Sequence, residues 1–222
     1  MKVQVIVCDD HRIVREGLVA LLEREPDLEV IAQARDGLEL VRLARQLAPQ
    51  VVVTDMSMPG MNGVEVTRRI CSELPNCRVI CLSVHDQTRQ VLAALDAGAS
   101  GYVLKDNSFD ELARGIRCAM GNQLFLSVEL IGTVLGARRH PEPLKQALPA
   151  PELTPREREI VQMFSEGYST QAIADSLHVS IKTVATHRER IYQKLQIQGV
   201  AELTRYALRE GLSSLDAKLR CA

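Results

Sequence analysis

The sequence predicts a doubly wound α/β domain on a five-stranded parallel sheet, followed by a small all-α domain of four helices. Three observations point there. Short apolar runs alternate with amphipathic stretches five times in the first half. A proline-rich break follows, HPEPLKQALPAPELTP, which holds Pro141, Pro143, Pro149, Pro151 and Pro155. Beyond it every stretch has helical spacing. At 222 residues, 46% hydrophobic and 25% charged, the chain can fill two cores.

The strands are read in VQVIVCD, LEVIAQA, VVVTD, RVICLSV and GYVLK. Most of these runs are apolar throughout rather than alternating, which marks strands buried on both faces. Between them HRIVREGLVALLERE, GLELVRLARQLA, GVEVTRRICSEL and TRQVLAALDAG have helical spacing, as does FDELARGIRCAM after the last strand. Right-handed crossovers then place helices on both sides of the sheet. VELIGTVLGARR is a further helix candidate before the prolines, which form a semi-rigid tether. The expected boundaries are 1–125 for the first domain, 126–150 for the linker and 151–222 for the second domain. The second domain is read as REREIVQMFSEG, TQAIADSLH, IKTVATHRERIYQKL and GVAELTRYALREG.

No apolar run reaches the roughly 18–20 residues that span a bilayer, and MKVQVIVCDD lacks the apolar core of a signal peptide. A cytoplasmic protein that does not engage a membrane is expected. The six cysteines form no C-x-x-C pair, so buried reduced thiols are expected, with Cys8 and Cys81 in strand-like runs. The net charge of −1 divides unevenly: residues 1–137 hold 14 basic and 18 acidic side chains, and residues 150–222 hold 10 and 9. Any nucleic-acid binding must therefore come from a local surface.

Functional groups of doubly wound sheets gather outside the carboxyl ends of the strands. Those ends carry Asp9 and Asp10 after the first strand, Asp55 after the third, Ser83 at the fourth and Lys105 at the fifth. Each alone is bland, and Asp10 could simply cap the helix that follows. Together they suit a metal-dependent phosphoryl acceptor. Carboxylates with a carbonyl and waters fit Mg2+ or Mn2+, Asp55 is the nucleophile, and Lys105 and Ser83 meet the phosphoryl oxygens.

Residues 1–125 resemble the receiver domain of two-component response regulators, a flavodoxin-like fold. The matching residues are CDD, then DMSMPGMNG with Pro59 and Gly63, then Leu82-Ser83, then GYVLKD around Lys105. The resemblance implies that Asp55 accepts the phosphoryl group and that Asp9, Asp10, Asp55 and the Ser57 backbone carbonyl hold the metal. Ser83 and Tyr102 resemble the family's switch pair, although Tyr102 could also be a half-buried space-filling ring. A sensor histidine kinase is the implied partner.

Residues 150–213 resemble the LuxR-type helix-turn-helix domain, through LTPRERE, EGYSTQAIADSLHVS, TVATH, Lys194-Leu195 and AEL at Ala201–Leu203. The whole chain thus resembles a NarL/FixJ-class response regulator. In the third helix of this half, Val184, His187, Ile191 and Leu195 share an inward face, with Ser180 as N-cap. Lys182, Ala185, Thr186, Glu189, Arg190 and Gln193 lie opposite and are expected to enter the major groove. Ser169, Thr170, Gln171, Thr183 and Lys194 complete the expected DNA-contacting set. Ala185 stands where the family often has lysine, STQAIA replaces SNKEIA, and Val200 replaces a frequent arginine. Fewer cations mean a smaller counterion-release contribution to affinity. Val200, Leu203 and Ala207 in the last helix resemble a dimerisation face, though each could instead close the small core.

The expected protein is a DNA-binding transcription regulator, not an enzyme, that is switched by phosphorylation of Asp55. It binds paired half-sites of promoter DNA as a homodimer and acts on RNA polymerase. One rival is a regulator whose receiver ignores phosphate, against which the intact acid, hydroxyl and lysine set argues. A phosphohydrolase would want an acid where Ser57 stands, and a flavodoxin-like electron carrier would want a phosphate-cradling loop where CDDH stands.

Overall fold

A computed structural model describes residues 2–84, 88–107, 109–139 and 153–213, in two compact units. In the first unit the strands are β1 (Val3–Cys8), β2 (Leu28–Ala34), β3 (Val51–Asp55), β4 (Arg78–Ser83), β5 (Gly101–Leu104) and β6 (Phe125–Leu126). They form one sheet in the order β2-β1-β3-β4-β5-β6, with every pairing parallel. The helices are α1 (Arg12–Leu22), α2 (Gly37–Leu47), α3 (Gly63–Glu73), α4 (Thr88–Asp96), α5 (Phe109–Met120) and α6 (Val128–Arg139).

Alternation along the strands sorts the core into two layers. Val5, Val7, Val51, Val53, Ile80, Leu82 and Val103 pack with Val19 and Leu22 of α1 and Leu112 and Ile116 of α5. The residues between them, including Ile6, Val52, Val79 and Tyr102, are also fully buried. They face the side of the sheet covered by α2, α3 and α4. This two-sided burial is why the strand sequences carry few polar residues.

Five strands are expected and six are found. The two residues of β6 are too few to show a period. The added strand is held by Phe125 N–H donating to Ser100 O at 3.1 Å and Ser127 N–H donating to Tyr102 O at 3.1 Å. Ser127 is fully buried, and its Oγ accepts from Leu104 N–H at 3.1 Å. The β6–α6 junction is therefore fastened to the end of β5.

One local alternative is removed and one local expectation is corrected. Asp10 does not cap α1: the N-cap is His11, which makes no side-chain cap bond. Cys8, Cys77 and Cys81 are buried free thiols, but Cys71 and Cys118 are only half-buried, because each lies on a helix flank rather than in a strand. Burial pushes the Cys81 thiol up to about 12, with Thr67 opposing and nearby negative groups adding, so it is an inert core group.

The second unit comprises α7 (Pro155–Ser165), α8 (Thr170–Ser176), α9 (Ile181–Leu195) and α10 (Val200–Arg209). Ile160, Val161, Ile173, Val184, Ile191, Leu203 and Ala207 fill its core. The caps explain where the helices start. Thr154 and Glu157 form a reciprocal capping box on α7, with Pro155 in its first turn. Ser169 accepts from Ala172 N–H at 3.1 Å to start α8, and Ser180 accepts from Thr183 N–H at 3.1 Å to start α9. The prolines from Pro141 to Pro151 that suggested a tether lie outside the described residues. Among the described residues no helix is long and apolar enough to cross a membrane.

Candidate functional site

Parallel strands bring their carboxyl ends to one edge of the sheet, and the expected acidic set meets there. Asp9 follows β1 and is fully buried, and Asp55, the last residue of β3, is 3% exposed. Lys105 follows β5, and its Nζ lies 2.7 Å from Asp9 Oδ2 and 2.9 Å from Asp55 Oδ1. Lys105 N–H also donates to Ser83 O at 2.7 Å, which ties the lysine to the buried end of β4. One ammonium thus spans two carboxylates that sequence places 46 residues apart.

The loop after β3 closes tightly around this point. Gly63 N–H donates to Met56 O at 3.1 Å. A Cβ on Gly63 would come within 2.6 Å of Asp55 O and 2.8 Å of Met56 Cα, so only glycine fits. Gly60 turns the same loop with φ +78°. Ser57 lies on it, half-buried, two residues past Asp55. Asn62 then caps α3 by accepting from Glu65 N–H at 2.9 Å.

Electrostatics follow from burial. Burial raises the Asp55 carboxyl above its ordinary value; Lys105 opposes this, and the charges of Asp9 and Asp10 add to it. Burial works to lower the Lys105 ammonium, but Asp55 and Asp9 outweigh it and the net direction is up. Lys105 therefore stays charged while the carboxylates carry more negative charge than it offsets. Asp10 Oδ1 is a buried oxygen with no hydrogen-bond partner. A set of hard carboxylate oxygens with surplus negative charge and one unsatisfied atom fits a divalent cation such as Mg2+ or Mn2+.

His11 and Arg15 are site residues that sequence reasoning missed. His11 Nδ1 lies 2.9 Å from Asp10 Oδ1 and 3.5 Å from Asp9 Oδ1. Arg15 donates to Asp9 O at 2.6 Å. The available signal was a histidine directly after the acid pair. Tyr102 differs from the half-buried filler considered for it: its ring is fully buried in β5, so any movement of it must repack the core.

In the second unit α9 has the expected inward face. Val184 and Ile191 are fully buried, while His187 and Leu195 are half-buried. Lys182, Thr183, Glu189, Arg190 and Gln193 are exposed, and Ala185 and Thr186 are half-buried. Ser169 and Gln171 are exposed at the start of α8, with Thr170 half-buried between them.

Three expected roles meet contrary geometry. Lys194 Nζ lies 2.6 Å from Glu157 Oε2, so it is engaged across α7 rather than free for DNA. Lys194 and the Thr154 cap hold the Glu157 carboxyl below its ordinary value, even though burial, the largest single influence, pushes it up. Leu203 and Ala207 are fully buried and α10 packs on α7, so both close the small core and neither offers a dimer face. Val200, 48% exposed, is the one residue of that trio at the surface.

Comparison with known proteins agrees with both halves. Residues 5–117 match the family described as response regulator receiver domain, and residues 151–207 match bacterial regulatory proteins, luxR family. The transcriptional regulatory protein LiaR of Bacillus subtilis (strain 168) is 40% identical over 210 residues, covering 95% of this chain and 99% of LiaR. The crystal structure of a LuxR-family two-component response regulator from Aurantimonas sp. SI85-9A1 is 34% identical, with TM-score 0.60, covering 63% of this chain and 99% of that one. RcsB from Salmonella enterica serovar Typhimurium, solved bound to promoter rprA with the phosphomimetic BeF3-, is 26% identical, with TM-score 0.57 and coverage of 93% and 98%. The chain belongs to the response regulators that join a receiver domain to a LuxR-type helix-turn-helix domain, and it is a DNA-binding transcriptional regulator of the NarL/FixJ class.

Proposed function

We propose that Asp55 is the phosphoacceptor and that its phosphorylation governs promoter binding by the second unit. The observation that carries this reading is the Lys105 ammonium held between the buried carboxylates of Asp9 and Asp55 at three strand ends. An Asp55 oxygen attacks the phosphorus of a phosphohistidine on a sensor kinase, or of a small phosphodonor. The P–N or P–O bond breaks and the leaving group takes up a proton. A bound Mg2+ or Mn2+ would neutralise charge on the transferring group. Asp9, Asp10, Asp55 and the Ser57 carbonyl would hold it, Lys105 pairs with a phosphoryl oxygen, and Ser83 donates to another.

Phosphate then acts as a ligand that favours one receiver conformation over another. In this reading Ser83 and Tyr102 carry the bias to a homodimer that binds paired half-sites of double-stranded promoter DNA and engages RNA polymerase. The exposed residues of α8 and α9, with Lys182, Glu189, Arg190 and Gln193 foremost, enter the major groove. The proposed division is a receiver over 1–125, a linker over 126–150 and the DNA-binding domain over 151–222. The protein works in the cytoplasm as a switch rather than as an enzyme.

Intact-mass measurement tests the assignment. Protein given Mg2+ and a small phosphodonor should gain one phosphoryl group, and Asp55→Asn should gain none. Phosphorylation retained in the Asn variant would overturn it.

A further inference from the structure

We propose that the exposed apolar face of α6 is where two copies of this chain pair, antiparallel, with Val128, Ile131 and Leu135 as the seam. This rests on the homodimer of the proposed function and names a surface that forms it.

The sequence of α6, VELIGTVLGARR, is apolar on two faces. One face serves its own domain: Leu130 is 1% exposed and Val134 6%, and α6 packs on α4. The other face is open. Val128 is 76% exposed, Ile131 43% and Leu135 51%, and among the described residues no other helix carries three exposed large apolar side chains. At about 100° per residue these three lie within about 60° of one another. A helix that is apolar on both sides is ordinarily covered on both. Spacings of three and then four residues are those of a helix-pairing seam.

Charge selects the occupant. The helix begins acidic, with Glu129 in its first turn, and its sequence ends basic, with Arg138 and Arg139. A second α6 running antiparallel sets each acidic end against a basic end, whereas a parallel copy sets like on like. In one antiparallel register Ile131 meets the partner's Leu135, Gly132 meets the partner's Gly136, and Glu129 meets the partner's basic last turn. A Cβ on Gly132 or Gly136 would meet nothing within 4 Å in its own chain. The packing of α6 on its own domain therefore does not require either glycine, and each weakens the helix. Across the pair they let the two backbones approach closely.

The face is small, on the order of a few hundred Å2 of apolar surface per copy, at the low end of interfaces that form transiently. A pair this weak is easily tipped by a change nearby, and α6 is fastened to the phosphoryl site. Ser127, directly before α6, is fully buried, and its Oγ accepts from Leu104 N–H at 3.1 Å, next to Lys105 in the chain. Asn107 Nδ2 donates to Glu111 Oε2 at 2.7 Å and to Glu129 Oε2 at 3.1 Å. The segment that carries Lys105 thus holds the first turn of the seam helix. The Glu129 carboxylate keeps acceptor capacity for a partner's arginine.

Sedimentation equilibrium of the full chain, with and without Mg2+ and a small phosphodonor, reads the pairing. Ile131→Glu and Leu135→Glu change exposed positions only, so circular dichroism and melting temperature should hold. Dimerisation should weaken by about tenfold or more in each. Glu129→Arg alone, and Arg138→Glu with Arg139→Glu, should each weaken it too. An equimolar mixture of those two proteins should restore it, because unlike ends then meet across the pair. Unchanged dimerisation in both glutamate variants, or a mixture no stronger than its components, would overturn the α6 pairing and leave the homodimer reading standing. So would a glutamate variant that melts early yet dimerises fully, since the face would then be covered by its own chain. A wild-type chain that stays monomeric in both conditions would overturn the homodimer reading as well.

Discussion

Lys105 Nζ lies 2.9 Å from Asp55 Oδ1 and 2.7 Å from Asp9 Oδ2, so a single ammonium holds two buried carboxylates. Removing it leaves both charges uncompensated, a loss of about 3–5 kcal/mol when a buried pair is broken. Lys105→Met should lose that much stability in chelator and, with the cation site as proposed, recover part of it with Mg2+. Asp55→Asn should behave in the opposite way. The fold raises the Asp55 carboxyl, so its contribution is fullest in acid and is lost as pH rises through the folded value. The Asn variant should therefore be as stable as wild type or more so at neutral pH, and should lose that advantage in acid. Denaturant titrations at both pH values decide this. Equal losses for Lys105→Met with and without Mg2+ would refute the pairing.

Coupling is expected to run through the end of β4. Ser83 is 1% exposed, and its carbonyl accepts from the N–H of Lys105, the residue whose ammonium pairs with Asp55. Ser83→Ala should leave Asp55 phosphorylatable by intact mass. Phosphate-stimulated dimerisation and DNA binding should both weaken. Full stimulation in both assays would place the switch elsewhere.

The Glu157–Lys194 pair should stabilise the second unit rather than contact DNA. Glu157 is 4% exposed and also completes the α7 capping box, so Lys194→Met strands a buried carboxylate at a loss of about 1–3 kcal/mol. The fold lowers the Glu157 carboxyl, so its stabilisation is present above the ordinary carboxylate range and fades as pH falls through the folded value. Thermal unfolding of the variant should show a flatter acid limb. If Lys194 instead neutralised a DNA phosphate, the variant would keep its stability and its salt slope for DNA binding would fall by about one.

Glu189 is exposed on the α9 face opposite the core. A carboxylate there repels phosphates but can accept from the N4 amino group of cytosine, a contact that discriminates by about 1–3 kcal/mol. Glu189→Gln should relax preference at one cytosine per half-site while overall affinity holds or rises. Lys182→Ala should weaken all sequences alike and flatten the salt dependence. A randomised site library reads both effects, and an unchanged base preference in the Gln variant would remove Glu189 from the readers.

The strand ends were legible because buried parallel strands are short apolar runs and their polar terminators stand out, as Asp55 does after VVVT. The start of α9 was legible because Ser180 is a strong local cap. What stayed hidden depends on partners remote in sequence. β6 exists through bonds to Ser100 and Tyr102, which no two-residue pattern reveals. The amphipathic spacing of Val200, Leu203 and Ala207 marks an apolar face but not what covers it, and α7 covers the two residues that are buried. Lys194 looks like any exposed helix cation until Glu157, 37 positions away, is seen beside it. His11 joins the carboxylates through the turn that follows β1, a geometry that adjacency in the sequence suggests but does not determine.

The central claim is that phosphate on Asp55 controls DNA binding, and the most direct measurement is the affinity of full-length protein for a promoter fragment selected from the site library. It is taken before and after phosphorylation at fixed salt, for wild type and Asp55→Asn. Phosphorylation should tighten wild-type binding by about 5–150-fold, the span of a coupling of 1–3 kcal/mol, and should leave Asp55→Asn unchanged. Equal wild-type affinities before and after full phosphorylation, or the same gain in Asp55→Asn, would contradict it.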